Sequence, residues 1–172
     1  KEVKFEDGMT TIPASICASS YIEKVYIPST VKLIGIEAFK GCENLTNIEI
    51  PKGVTSIGDE AFSRCKSLKE FVIPDGMKSL GSCIISGTSI SSITIPKTVK
   101  DSDEWDYYWS YSEHGGILAG CETLKAVRFE DGITAIPKYI CASGTSSGTY
   151  NVSYVEKVYI PSTVKLIGIE AF

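Results

Sequence analysis

The sequence predicts one α/β solenoid over residues 1–172, made of about seven coils of about 23 residues each. Two observations carry this prediction. The same apolar pattern recurs along the chain, and each copy holds a short β-branched segment that ends at a turn. Repetition at a fixed period of about 20 to 50 residues is the signature of repeat architectures, whose units bury their apolar faces only by stacking.

The repeat is clearest in the first half of the chain. Residues 25–47 read VYIPSTVKLIGIEAFKGCENLTN, and residues 48–70 read IEIPKGVTSIGDEAFSRCKSLKE. Residues 71–92 follow the same pattern with one deletion. Residues 3–24 and 127–157 also follow it, but Glu-Asp-Gly replaces the proline turn. Each of these copies is therefore interpreted as one coil.

Each part of a coil has its own pattern. In residues 48–51 (IEIP) two isoleucines alternate and stop at proline, which predicts a short parallel strand with a proline exit. Residues 54–57 (VTSI) predict a second short extended piece. In residues 59–65 (DEAFSRC) the apolar residues have helical spacing, which predicts a short α-helical or 3-10 turn.

The recurring string IPxxVxxIGxxAFxxCxxLxxI resembles the BspA-like (Treponema pallidum-type) class of leucine-rich repeats. The resemblance implies a repeat domain of a cell-surface or secreted protein that binds other macromolecules in an adhesion-type role. It transfers no catalytic residue, because the family has no catalytic motif. Pro13 and Pro137 depart from the pattern, since each stands where other coils have glycine.

A longer duplication accompanies the repeat. The string EKVYIPSTVKLIGIEAF occurs at residues 23–39 and again, unchanged, at residues 156–172. Both chain ends fall within a coil, and neither carries a visible polar cap of the kind that solenoids need at their ends. We therefore expect the array to continue in a longer protein.

Composition and charge argue against two kinds of partner. The formal net charge is −4, and the lysines are scattered with no basic run, so nucleic acid is not expected to bind. The apolar runs are only a few residues long, too short to cross the roughly 30 Å of a bilayer core, so no membrane insertion is predicted for this segment. We expect a protein partner, such as a host surface or matrix protein, ahead of a carbohydrate.

Five of the six cysteines stand at core positions of the repeat, and two of them, Cys17 and Cys141, stand where other coils have Phe39 and Phe62. Cys42, Cys65 and Cys121 share one coil position with Ser20 and Thr88. Residues that exchange with serine and threonine at a core position are interpreted as buried thiols that fill space. The alternative is a disulfide between Cys42 and Cys65 on stacked coils, which the spacing of neighbouring strands permits.

Catalytic and metal chemistry have little support in the sequence. The single histidine, His114, has no nucleophile motif beside it and is interpreted as an exposed loop residue. Residues 101–106 (DSDEWD) begin like a calcium loop but place Trp105 where an oxygen ligand belongs. We therefore expect a protein that is not an enzyme and that has no cofactor and no metal.

Two insertions interrupt the pattern, near residues 101–116 and 144–152. The second is rich in Gly, Ser and Thr, which predicts a loop. The first carries five aromatic residues among carboxylates: Trp105, Tyr107, Tyr108, Trp109 and Tyr111. Because Tyr and Trp concentrate at binding hot spots, one interpretation is a recognition loop for a basic protein surface or a sugar. The other is that these aromatics fold back over their own coil.

A second candidate surface is the row of residues that point outward from the predicted strands. It contains Lys4, Tyr26, Glu49, Val72, Thr94, Arg128 and Tyr159, one from each coil. A parallel row contains Glu2, Lys24, Asn47, Glu70, Ser92, Ala126 and Lys157. The core positions repeat while these vary, as on a scaffold with a diversified concave face, although drift on an unconstrained surface would look the same.

From the first row we select Tyr26, Glu49, Arg128 and Tyr159 as candidate ligand-binding residues, together with the aromatic residues of the insertion. The alternative function for the whole segment is a structural spacer that holds another domain away from a surface.

Overall fold

The computed structural model describes residues 1–99, 116–141, 154–169 and 171–172. These residues contain twelve short strands in chain order. The strands are β1 (Glu2–Lys4), β2 (Thr11–Ile12), β3 (Lys24–Tyr26), β4 (Leu33–Ile34), β5 (Asn47–Ile48), β6 (Ser56–Ile57), β7 (Ser79–Leu80), β8 (Ser92–Ile95), β9 (Ala126–Phe129), β10 (Ala135–Ile136), β11 (Lys157–Tyr159) and β12 (Leu166–Ile167). A helix with the length and apolar character needed to cross a bilayer is absent from the described residues.

The strands form two series, and every pair in them is parallel. In the first series β1, β3 and β5 form one sheet, and β8, β9 and β11 form another. In the second series β2, β4, β6 and β7 form one sheet, and β10 pairs with β12. The register advances by one repeat at each step, since Val3 lies opposite Val25 and Val25 lies opposite Ile48. The predicted solenoid of short parallel strands is confirmed.

The core consists of equivalent residues that stack on one another from coil to coil. Ile34 lies opposite Ile57 in the second series, and both are at most 1% exposed. Phe39 and Phe62 are fully buried, and their rings stack with centroids 5.3 Å apart. One coil alone would expose these side chains, so burial of apolar surface between coils holds the solenoid together.

The helical turn expected at residues 59–65 is wrong, because the segment is a series of turns and the described residues contain no helix. Glu60 and Arg64 adopt left-handed φ values of 51° and 60°, which a right-handed helix does not accommodate. Their N–H groups donate to the next coil, to the carbonyls of Ser82 at 2.8 Å and Ser86 at 2.6 Å. The residues that alternate with them, Ala61, Ser63 and Cys65, donate to carbonyls three residues earlier in their own coil, so bonds between coils alternate with bonds within the coil.

The repeated Ile-Gly pair marks a close approach between coils. A Cβ atom on Gly58 would lie 2.6 Å from the backbone nitrogen of Ile36, and one on Gly35 would lie 2.6 Å from that of Ala14. Backbone atoms at this distance leave no room for a side chain, so glycine permits the spacing between coils. Pro137 occupies this position in the coil that follows the insertion near residues 101–116.

All six cysteines are free thiols, and five of them are buried. The Cys65 thiol donates a hydrogen bond to the carbonyl of Phe39 at 3.2 Å. Thr88, at the equivalent coil position, donates its hydroxyl proton to the carbonyl of Ile85 at 2.8 Å. The position therefore selects a small side chain that also donates to a buried carbonyl, which explains why Cys, Ser and Thr exchange there.

The first strand series is interrupted in the middle of the chain. Residues 69–73 occupy the position between β5 and β8 but form no strand, although their sequence predicts one. All these residues are described, and no backbone hydrogen bond joins them to either neighbouring coil. The same coil remains paired in the second series, where β7 lies beside β6. The coil is therefore loosened on one side only.

Candidate binding site on the strand face

The outward side chains of the first strand series form one exposed surface, which we call the strand face. Lys4 lies opposite Tyr26, and Arg128 lies opposite both Thr94 and Tyr159. Tyr26 is 49% exposed and Tyr159 is 44% exposed. The row expected from the repeat is thus in register at both of its ends.

An open groove of about 870 Å³ crosses the strand face where the first series is interrupted. It extends from residues 69–73, across β8, to Arg128 of β9 and Tyr159 of β11. A smaller depression that adjoins it continues to Asn47 and Ile48 of β5. The two hollows together are lined by five successive members of the predicted row: Glu49, Val72, Thr94, Arg128 and Tyr159.

Small side chains form the floor of this groove. Ser92 and Thr94 lie on β8, and Ala126 lies opposite Ser92 on β9. Larger side chains stand on both sides, with Val72 being 74% exposed and Arg128 also exposed. Val72 and Arg128 belong to coils two steps apart, and the coil of Ser92 and Thr94 lies between them. We call the space between them the Thr94 recess.

Arg128 is held against Tyr159. Its guanidinium carbon lies 4.3 Å from the centroid of the tyrosine ring, a cation–π contact worth roughly 0.5–1 kcal/mol at an exposed site. The nearby carboxylate of Glu130 is engaged elsewhere, because it accepts the backbone N–H of Lys97 at 2.9 Å and lies 3.9 Å from the Lys97 ammonium. Arg128 has no carboxylate partner in the described part of the chain.

The opposite end of the groove carries charges of both signs. Its carboxylates belong to Glu49, Glu70 and Asp75, and its ammonium groups to Lys52 and Lys69. Among the described residues none of these five side chains forms a salt bridge. This end therefore favours neither sign of charge, whereas the Arg128 end presents an oriented cation.

The structure brings together three of the four strand residues selected from the sequence. Glu49, Arg128 and Tyr159 line the two hollows, whereas Tyr26 lies on the strand face outside them. The aromatic residues of the insertion, Trp105, Tyr107, Tyr108, Trp109 and Tyr111, lie outside the described residues, as do His114 and the calcium-like loop.

Two residues of the groove belong to the predicted row but were not selected from it. Val72 rises beside the recess and Thr94 forms its floor. The signal in the sequence was side-chain size. The first row becomes small at Thr94 and large again at Arg128, and the second row stays small through Ser92 and Ala126. The size profile along a row therefore predicts where a solenoid face is hollow.

Comparison with protein families identifies the family of the chain. A family model described as BspA type leucine rich repeat region matches in six copies, over residues 1–114 and 32–172. The chain belongs to this family. Leucine-rich repeat families of this type are generally non-catalytic, and leucine-rich repeat domains generally bind proteins. No curated protein shows significant similarity to the chain.

Solved structures show the same fold. A leucine-rich repeat protein of T. pallidum is 25% identical with a TM-score of 0.69, and the match covers 97% of this chain and 72% of that one. One from Bacteroides ovatus is 24% identical with a TM-score of 0.65, covering 100% of this chain and 46% of that one. One from Eubacterium ventriosum is 25% identical with a TM-score of 0.64, covering 99% and 50%. The chain thus spans about half the length of the last two proteins.

Proposed function

We propose that this BspA-type repeat domain is a non-catalytic, adhesion-type protein-binding module of a cell-surface or secreted protein, and that it contacts its partner through the strand face. The observation that carries the proposal is the groove along that face, lined by five successive members of one variable row. Its most exposed apolar side chain is Val72, at 74%.

Physical chemistry favours a binding role for this surface. Parallel strands hold the outward side chains at intervals of about 4.8 Å, so little conformational entropy remains to be lost when a partner docks. Covering an exposed apolar side chain with a partner lowers the free energy of the complex, because apolar surface is removed from water. Tyrosine and arginine, present here as the stacked pair of Tyr159 and Arg128, are enriched at binding hot spots.

The experiment compares two equally exposed apolar side chains. Val72 and Tyr21 are each 74% exposed, but only Val72 lies in the groove. Binding of the wild-type domain to a panel of purified extracellular matrix proteins is measured by biolayer interferometry, and the binders are tested against Val72→Arg and Tyr21→Arg. We expect Val72→Arg to weaken binding roughly tenfold or more, the effect of a hot-spot residue, and Tyr21→Arg to leave it unchanged.

The alternative is a structural spacer, which needs no binding face. The absence of any binder in the panel would favour the spacer. Equal binding by Val72→Arg and the wild-type domain would show that the partner contacts a surface other than the groove, and would contradict the proposal.

A further inference from the structure

We propose that the groove binds an extended segment of a partner protein that presents an apolar side chain to the Thr94 recess and a carboxylate, two residues further along, to Arg128. This inference rests on the proposed function, because it specifies the chemistry of what the strand face binds.

The carboxylate is assigned from the hydrogen-bond donors of Arg128 and from the residues around it. A guanidinium group has a planar set of donors that matches a carboxylate in bidentate geometry. The Arg128 guanidinium carbon lies 4.3 Å from the centroid of the Tyr159 ring, so the tyrosine holds the cation at this position on the strand face. Glu130 is already bonded to Lys97, and no other carboxylate of the described residues forms a salt bridge with Arg128, so an external carboxylate can pair with it.

The apolar side chain is assigned from the shape of the recess. The floor consists of Ser92, Thr94 and Ala126, and the exposed methyl groups of Val72 form one wall. Because only these small side chains lie between Val72 and Arg128, the recess has room for one side chain of the size of leucine or phenylalanine. That side chain would bury its surface against Val72 and the methyl groups of Thr94 and Ala126.

The spacing of two residues follows from strand geometry. Side chains on one face of an extended chain are about 6.6 Å apart, since each residue advances about 3.3 Å. Thr94, at the centre of the recess, lies opposite Arg128 on the neighbouring strand, about 5 Å away at the usual strand spacing. The guanidinium lies further from Thr94 than this, because it is at the end of a long side chain. An apolar residue in the recess therefore places the residue two positions away within reach of Arg128.

The interrupted strand series offers polar contacts for the backbone of the segment. The N–H and C=O groups of residues 69–73 bond to neither neighbouring coil. Ser92 and Thr94 add hydroxyl groups that both donate and accept. An extended segment that crosses the strands presents free N–H and C=O groups of its own, which the hydroxyl groups of Ser92 and Thr94 can bond.

A polyanion such as a sulfated glycan fits this surface less well than a peptide. Polyanions bind through several neighbouring cations. Among the described residues that line the groove, its Arg128 end presents one cation without a carboxylate partner, and the chain has a net charge of −4. The recess also offers apolar contacts that a sulfated sugar does not use.

The test uses random linear heptapeptides displayed on phage, selected on the wild-type domain and depleted on Thr94→Trp, which fills the recess. We expect the enriched peptides to share an apolar residue followed two positions later by Asp or Glu. A synthetic peptide with this motif is then titrated by fluorescence polarisation. Arg128→Glu should weaken its binding roughly tenfold, the loss expected for a charge-assisted hydrogen bond, and a peptide with Lys in place of the acid should recover affinity for that variant.

The duplication within the chain supplies a matched control. Lys4 lies opposite Tyr26 as Arg128 lies opposite Tyr159, but Lys4 is outside the groove. Lys4→Glu makes the same kind of charge reversal and should bind the peptide like the wild-type domain. Tyr159→Ala removes the platform of Arg128 and should weaken binding several-fold while Arg128 remains.

Four results would overturn the inference: no enriched motif, a motif without an acid, equal effects of Arg128→Glu and Lys4→Glu, or displacement of the peptide by a heparin oligosaccharide at similar concentration. Failure here is distinguishable from failure of the proposed function. If the peptides fail but Val72→Arg still abolishes binding of a matrix protein, the strand face binds protein and only the linear-segment chemistry is wrong.

Discussion

At the scale of single residues, the cysteine position shows how one side chain serves both packing and hydrogen bonding. The Cys65 thiol is fully buried and donates to the Phe39 carbonyl. Burial also raises the pKa of the Cys65 thiol to about 12, because a thiolate in this environment would lose its hydration. Burial raises the pKa values of the Cys83 and Cys141 thiols to about 12 as well, Cys83 being assisted by the charges of Glu60 and Asp59.

These shifts predict that stability falls in mildly alkaline solution. A thiol in the unfolded chain ionises near pH 8.5, whereas the buried thiols remain protonated in the folded chain up to about pH 12. Raising the pH above about 8.5 therefore stabilises the unfolded state, by at most about 1.4 kcal/mol per pH unit for each thiol. Urea denaturation at pH 8, 9 and 10 should show a falling free energy of unfolding.

Cys65→Thr is the control for this pH dependence. Thr88 already occupies the equivalent position and donates to the carbonyl three residues before it, so the variant has a hydroxyl donor of the same kind and no ionisable group. The free energy of unfolding of Cys65→Thr should fall less steeply with pH than that of the wild-type protein. Parallel pH curves for the two proteins would contradict the assignment.

At the scale of elements, the spacing between coils depends on backbone contacts as well as on core side chains. In each Ile-Gly pair the isoleucine ends a strand of the second series and the glycine follows it. A Cβ on Gly58 would lie 2.6 Å from the backbone nitrogen of Ile36 and 2.9 Å from the carbonyl carbon of Gly35. Such a side chain would push two coils apart and weaken the hydrogen bonds on both sides of it.

Gly58→Ala should therefore lower the free energy of unfolding by about 2 to 3 kcal/mol, in the range of overpacked substitutions. Gly76→Ala is the informative comparison, because Gly76 has a φ of 91° but open space around its Cβ position. A left-handed residue with Cβ costs about 1 to 2 kcal/mol. Urea denaturation should rank Gly58→Ala as the more damaging substitution, and the reverse order would show that backbone conformation outweighs the contact between coils.

The first strand series shows that the local sequence pattern does not by itself predict strand pairing. Residues 71–73 (FVI) are as β-branched and aromatic as residues 48–50 (IEI), yet only the latter contribute to a paired strand. Pairing depends on whether the neighbouring coils lie at hydrogen-bonding distance, and this distance is set elsewhere in the coil. The sequence therefore predicts the position of each strand better than its pairing.

At the scale of the whole molecule, the duplicated string provides an internal comparison. Val25, Ile34 and Phe39 of the first copy are 7%, 0% and 0% exposed. The equivalent residues of the second copy, Val158, Ile167 and Phe172, are 37%, 50% and 53% exposed. The strings are identical, so the difference comes from what lies beside them: residues 40–62 cover the first copy, where Phe62 stacks on Phe39.

Adding the sequence of residues 40–70 after Phe172 should therefore stabilise the protein. The added coil recreates the stack of Phe39 on Phe62 and covers the exposed residues, and an interface between neighbouring repeats contributes on the order of 2 to 4 kcal/mol. The measurement is the free energy of unfolding in urea. The control is the same extension with Asp at the two positions equivalent to Ile57 and Phe62, which should give no gain; equal gains from both extensions would contradict stacking of like on like.

The repeat in the sequence predicts which residues of the groove are neighbours. The repeat predicts that Thr94, Arg128 and Tyr159 are neighbours although an insertion separates the first two in sequence, and the register confirms this. It does not predict that Arg128 lies over the Tyr159 ring, because side-chain orientation depends on local contacts. The aromatic insertion remains a prediction of the sequence, since it lies outside the described residues.

The sequence by itself determined the period, the core positions and the outward rows, because each of these follows from one repeated pattern of apolar and polar residues. Only the tertiary structure decided that residues 59–65 form turns with left-handed φ at Glu60 and Arg64, and that residues 69–73 leave the first strand series. The physical reason is the same in both cases. The backbone groups of these segments can bond to partners within their own coil or on the next coil. Which bonds form depends on the distance between coils, and the sequence of a single repeat does not encode that distance.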